Sequence, residues 1–207
     1  MAASTSPRYT AFIGQRHLGD GDLGELARSI KTAQELGDKN TVLIFDEDSK
    51  PVEVDLRGSL SAVLKRLHAS SAPAQQETEK PARGRPKLGV IAREVTLLPR
   101  HWEWLGQQPG GASVALRKLV EDAKRASLPR DRARRSQESA YRFMAAMAGD
   151  FPDYEEALRA FYAGDKRRFQ RLISSWPEGI RDHAKRLATA AFADSAALDN
   201  AVATATP

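Results

Sequence analysis

A chain of 207 residues, 41% hydrophobic and 29% charged, has the balance of a folded protein of one or two small domains with a linker, neither wholly disordered nor membrane-embedded. It contains no cysteine, which excludes disulfides, thiolate metal sites and a cysteine nucleophile. The net charge of +5 is unevenly spread: residues 80–135 carry 14 Lys and Arg against 5 Asp and Glu, net +9, while the two flanks together carry −4.

The start, Met1 to Pro7, lacks the basic and apolar regions of a signal peptide, and no apolar run approaches the roughly 18 to 20 residues of a membrane span, so the expected location is cytoplasmic. Tyr9-Thr-Ala-Phe-Ile13 predicts a strand, Gly19-Asp-Gly-Asp22 a turn, and Leu23, Leu26, Ala27 and Ile30 a helix by their spacing. Thr41-Val-Leu-Ile-Phe45, the polar turn from Asp46 to Pro51, and the alternating Val52-Glu-Val-Asp-Leu56 predict a hairpin with one wet face. Ser59 then caps a short helix carrying Leu60, Val63, Leu64 and Leu67. This β-α-β-β-α order predicts a small α+β domain over 1–68.

Residues 69–87 offer no aliphatic side chain larger than Ala and read as a Pro- and Gly-rich basic linker. In 88–128 a short strand near Arg93 to Leu98 is expected, then a helix opened by Pro99, a turn at Pro109-Gly-Gly111, and a longer helix capped by Ser113. Leu116, Leu119, Val120 and Ala123 would line the buried stripe of that helix, with Arg117, Lys118, Lys124 and Arg125 on its wet face. From 136 to 193 the periodicity predicts a helical bundle. Its stripes are Tyr141, Met144, Ala145 and Ala148, then Leu158, Phe161 and Tyr162 after an Asp153–Glu156 capping box, then Phe169, Leu172, Ile173 and Trp176 after Asp165, then Ile180, Ala184, Leu187 and Ala191. Residues 194–207, rich in Ala and Thr, read as a flexible tail.

The run Arg83-Gly-Arg-Pro-Lys-Leu-Gly-Val, with Arg93-Glu-Val-Thr-Leu-Leu-Pro-Arg-His-Trp-Glu-Trp-Leu105 and Gly110-Gly-Ala-Ser-Val-Ala-Leu-Arg-Lys-Leu-Val120, resembles an uncharacterised bacterial family, domain of unknown function twenty-two thirty-nine. That family brings no activity or catalytic residue with it. Arg83-Gly84-Arg85-Pro86, followed by Lys87, is similar to the core of an AT-hook. In such a hook Gly and Pro keep the backbone narrow and extended, so both guanidinium groups lie along the minor groove of A·T-rich DNA. A basic Gly/Pro hinge would have the same tetrapeptide.

The strand-helix-helix order of 88–128 resembles a ribbon-helix-helix repressor. The resemblance implies a homodimer whose paired strands enter the major groove, with the second helix gripping phosphate through its N-terminus near Ser113. Burying Val95 and Leu97 turns Glu94, Thr96 and Leu98 outward, whereas the opposite frame puts Arg93 forward. An ordinary strand-helix-helix element of an α+β fold has the same pattern.

No phosphate loop, nucleophile elbow or metal-binding histidine pair is present, so neither an enzyme nor a cofactor or metal is expected. His17, His68, His101 and His183 lie too far apart in sequence to nominate a pair, and Trp102, Trp104 and Trp176 read as packing residues. The expectation is therefore a DNA-binding protein, a transcriptional regulator or nucleoid-associated factor acting on double-stranded, A·T-rich DNA. Arg83 and Arg85 would enter the minor groove, Arg93, Arg117 and Lys118 would contact backbone or groove edges, and Arg130, Arg132, Arg134 and Arg135 would add phosphate contacts. The alternative is a protein-protein adaptor whose basic stretch is a solvated linker.

Overall fold

The computed structural model describes residues 7–71, 91 and 93–205. The chain is α+β, with a three-stranded antiparallel sheet of order β2-β1-β3 among its helices. β1 (Tyr9–Ile13) turns at Gly14-Gln15 into β2 (Arg16–Gly21), and Gly14 takes the positive φ of 57° that this tight turn needs. β2 occupies most of the stretch expected as a turn. Between the Ala11–Gly19 and Phe12–His17 pairs the register shifts, leaving Leu18 as the extra residue of a β-bulge. A Gly- and Asp-rich strand is readily mistaken for a turn because glycine at a bulge and glycine in a turn look alike in sequence.

Asp22 begins α1 (Leu23–Glu35) through a capping box: its carboxylate accepts from the Glu25 N–H, and the Glu25 carboxylate accepts from the Asp22 N–H. Gly37, at φ 94°, ends the helix. β3 (Val42–Phe45) pairs with β1, and the Asp46 side chain accepts from the N–H groups of Asp48 and Lys50 to form the predicted turn. The second hairpin strand is not formed. Pairing stops at Val52: a Phe45–Pro51 bridge lies between the Asp46 N–H to Lys50 C=O bond and the Val52 N–H to Ile44 C=O bond, an alternation in which Pro51 faces away from the ladder and its missing N–H costs no rung. The alternation survives, with Val52, Val54 and Leu56 half-buried and Glu53 and Asp55 exposed. α2 (Leu60–Ser71) follows.

One unit comprises residues 1–72 and 129–207, and a second comprises 73–128. The segments expected as separate domains, 1–68 and 136–193, thus fold together. The reason lies in the two faces of the sheet. Ala11 and Ile44 face α1 through Leu26 and Ile30, whereas Phe12 and Phe45 on the opposite face join the core of the C-terminal helices. Those helices are the latter part of α4 (Gly111–Ala148), α5 (Tyr154–Tyr162), α6 (Lys166–Leu172) and α7 (Glu178–Ala205).

On α4 Met144 and Ala148 are buried as expected, but Tyr141 and Ala145 of the same predicted stripe are exposed, and Ala140 and Phe143 are buried in their place. Phe169, Ile173, Trp176, Ile180, Ala184 and Ala191 are buried as expected. Asp165 caps α6 by accepting from the Arg168 N–H, but Asp153 forms no capping box. It sits at φ 60°, and Glu156 instead pairs with Arg159 and Arg168. α7 runs on to Ala205 in place of the expected tail after residue 193, and its Asp194 and Ser195 bond to Arg132 and Gln137 of α4.

The start of α7 sits against the β1-β2 turn. A Cβ on Gly179 would stand 2.7 Å from the His17 backbone nitrogen and 2.9 Å from the Gln15 carbonyl oxygen. Both obstacles are backbone, so Gly179→Ala is expected to cost about 1–3 kcal/mol by overpacking. A urea-unfolding midpoint would measure it, and an unchanged midpoint would mean that the helix can lift off the turn freely.

In the second unit α3 (Pro99–Gly106), with Pro99 in its first turn, is followed by Gln107–Gly110 and the beginning of α4. Arg93–Leu98 forms no strand. The expected strand finds no ladder partner among the described residues, whose sheet consists of β1, β2 and β3. α4 opens at Gly111, where Gly110 and Gly111 both have positive φ, so Ser113 stands inside the first turn and does not cap it. Pro129 lies within α4 where the units divide. Having no N–H, it leaves the Arg125 carbonyl without its usual helical donor.

Candidate functional site

Arg83, Gly84, Arg85, Pro86 and Lys87 lie outside the described residues. The remaining cations expected to meet DNA divide into two groups. Arg93, Arg117 and Lys118 are exposed, as are Lys124 and Arg125. None of these five joins an ion pair among the described residues, and Arg117 bonds only to the Ser113 carbonyl of its own helix. In an α-helix, residues seven apart share a face, so Arg117 and Lys124 form one file and Lys118 and Arg125 the neighbouring one. Arg130, Arg132, Arg134 and Arg135 are exposed in the other unit, but Arg132 pairs with Asp194 at 2.7 Å and Arg134 with Asp131 at 3.2 Å. Half of that cluster is therefore already matched by carboxylates.

The apolar side of the second unit differs from expectation. Leu119 and Val120 are 47% and 60% exposed, Ala123 is exposed, and Leu116 is half-buried. Trp102 and Trp104, expected as packing residues, are 43% and 50% exposed, while Trp176 is buried and donates from Nε1 to the Pro152 carbonyl. Leu105 of α3 is buried in this unit.

A second concentration of polar groups was not foreseen. The β1-β2 hairpin brings His17 and Asp20 beside His183 and Arg186 of α7, joining histidines 166 positions apart in sequence. Arg186 donates from Nη1 to Asp20 Oδ2 at 2.8 Å, and from Nη2 to Asp20 Oδ1 at 3.2 Å and to His183 Nδ1 at 2.8 Å. Thr10 Oγ1 also donates to Asp20. His17 Nε2 lies 3.5 Å from Asp20 Oδ1 but is buried and forms no hydrogen bond.

This geometry shifts the titration of Asp20 and His183. The Arg186 guanidinium, bonded to Asp20, holds that carboxyl far below the usual carboxylate range. Burial pushes His183 down to about 3, and the neighbouring positive charge of Arg186 adds to the effect. The His183 ring packs 4.3 Å from Phe143 and 5.4 Å from Phe12, measured between ring centres. A neutral imidazole that accepts at Nδ1 carries its proton on Nε2. The cluster borders a cleft of about 380 Å³ that Glu47 and Asp46 also line. The signal that sequence reading lacked is tertiary, because nothing in the spacing of residues 17 and 183 announces that a hairpin turn will seat on the start of α7.

Over residues 8–188 the chain matches the family described as an uncharacterized protein conserved in bacteria (DUF2239), and it belongs to that family. No curated relative and no solved structure matches it.

Proposed function

We propose that this member of an uncharacterized bacterial family is a DNA-binding protein, a transcriptional regulator or nucleoid-associated factor that reaches double-stranded DNA through residues 80–135. The observation that carries the reading is the set Arg117, Lys118, Lys124 and Arg125: exposed on two adjacent files of one helix and without ion-pair partners among the described residues. Cations left free of carboxylates are the ones that displace counterions from a phosphate backbone. Arg93, and Arg130 and Arg135, which form no ion pair among the described residues, add to this set, and Arg83 and Arg85 enter an A·T-rich minor groove. A homodimer supplies the missing ladder partner for Arg93–Leu98. The adaptor reading draws on the exposed Trp102, Trp104, Leu119 and Val120.

Fluorescence anisotropy of A·T-rich and G·C-rich duplexes across a salt series decides between them. The wild type is expected to bind with a steep salt slope. Replacing Arg117, Lys118, Lys124 and Arg125 together by Gln should reduce the slope by up to about 3.6, at about 0.9 per lost phosphate contact. Arg83→Ala/Arg85→Ala should remove the A·T preference. Wild-type binding weaker than the non-specific range of about 10⁻⁴–10⁻⁶ M, equal on both duplexes, would sink the DNA reading and favour the adaptor.

A further inference from the structure

We infer that His17, Asp20 and His183 form a binding site for one divalent transition-metal ion, Zn²⁺ by its donor set, in exchange with the guanidinium of Arg186. Two imidazoles and one carboxylate are the ligand types of three-ligand zinc sites, which keep a fourth position open. They come from separate elements, His17 and Asp20 from β2 and His183 from α7, so the folded chain alone assembles them.

Their ligand atoms all lie within 4.8 Å of one another, and the His17–Asp20 pair is at 3.5 Å. Metal–ligand distances of about 2.0–2.2 Å place neighbouring tetrahedral ligands roughly 3.4 Å apart, so one pair is already at ligand spacing and the rest must close by on the order of 1 Å. The buried His17 Nε2 has no hydrogen-bond partner. A buried ring nitrogen left unsatisfied costs free energy that a metal bond would remove.

Arg186 is the resident cation. It shares Asp20 with the proposed ion and donates to His183, so a metal must displace it. The adjoining cleft provides the guanidinium with other carboxylates, Glu47 and Asp46. Metal binding therefore moves an arginine from the sheet–helix junction into the cleft, and the two cations compete for one carboxylate.

The test is titration of the full-length, EDTA-treated protein with Zn²⁺ by calorimetry and with Co²⁺ by visible absorption. The wild type should take up one ion per chain, His17→Gln should lose that uptake, and Arg186→Gln should bind at least tenfold more tightly because the competing cation is gone. Ring ¹⁵N shifts of His17 and His183 on adding Zn²⁺ to the wild type give a readout that needs no variant. Uptake unaltered in His17→Gln, with shifts on His68 or His101 instead, would overturn the assignment. Absence of uptake by the wild type, or uptake by Arg186→Gln alone, would overturn the exchange.

Discussion

Phe143→Ala is expected to destabilise the sheet and the C-terminal helices together, by about 3–5 kcal/mol, the cost of truncating a fully buried phenylalanine. The side chain is 0% exposed, and its ring lies 5.3 Å from Phe12, 5.5 Å from Phe45 and 4.3 Å from His183 between centres. It thus touches β1, β3 and α7 at once. Small domains have only about 5–15 kcal/mol of stability, so this loss is a large fraction of the whole. Native-state hydrogen exchange reads the prediction element by element. Protection of the Phe12 and Leu43 amides in the sheet and of the Ala184 and Ala188 amides in α7 should fall by the same free energy. A loss confined to the helices would mean that residues 1–68 fold by themselves and that the shared core is not cooperative.

Local structure was legible wherever a side-chain pattern and a backbone signal agreed. Tyr9–Ile13, the helix from Leu23, and the Phe169, Ile173, Trp176 stripe with its Asp165 cap all stand where period and capping residue placed them. Errors arose where one residue type serves two purposes. Glycine and aspartate in Gly19-Asp-Gly-Asp22 belong to a bulged strand and to the helix cap that follows it. On α4, Tyr141 and Phe143 are two positions apart, so an apolar stripe fits through either, and only the sheet packed against Phe143 decides which is buried. The union of 1–68 with 136–193 has no local signature at all. Phe12 and Phe45 look like the inner face of a small self-sufficient sheet, and nothing nearby in sequence says that their partners come a hundred residues later.

The candidate sites show the same division. The charge of residues 80–135 is a sum over the chain, so it was readable directly; which of those cations are free is not, because Asp194, the partner of Arg132, lies 62 positions away. The His17–Asp20–His183–Arg186 cluster was missed for the same reason. Each pairwise contact to α7 spans the whole length between hairpin and last helix, and the histidines meet because Gly179 seats α7 on the hairpin turn, Arg186 holds Asp20, and Phe12 and Phe143 pack against His183.

Acidification should unfold the metal-free protein earlier than its carboxylates alone require, because of His183. Its folded pKa is about 3 against an ordinary 6.5, so between those values the unfolded chain takes up a proton that the folded chain refuses. Stability is therefore intact above about pH 6.5 and falls as the pH drops towards 3, at up to about 1.4 kcal/mol per unit and of order 5 kcal/mol in all. Burial of the ring is the main cause; of the groups facing it, Arg186 and His17 also disfavour the imidazolium, while Asp20 favours it but is already committed to Arg186. Asp20 acts later and in the same direction. Its pKa is lowered by the Arg186 hydrogen bond, so its contribution is complete above about 3.8 and is lost progressively below that as the unfolded chain takes up the proton first, the folded carboxylate keeping its latch to α7 until the pH is far lower. Urea unfolding in EDTA at pH 7, 5 and 4 separates the two. His183→Gln, which cannot titrate, should be less stable than the wild type at pH 7 for want of packing yet lose little between pH 7 and 5, where the wild type loses most of about 2 kcal/mol. Equal losses in both proteins would show that the imidazole titrates as it does in water, and would remove His183 from the core in which Phe12 and Phe143 enclose it.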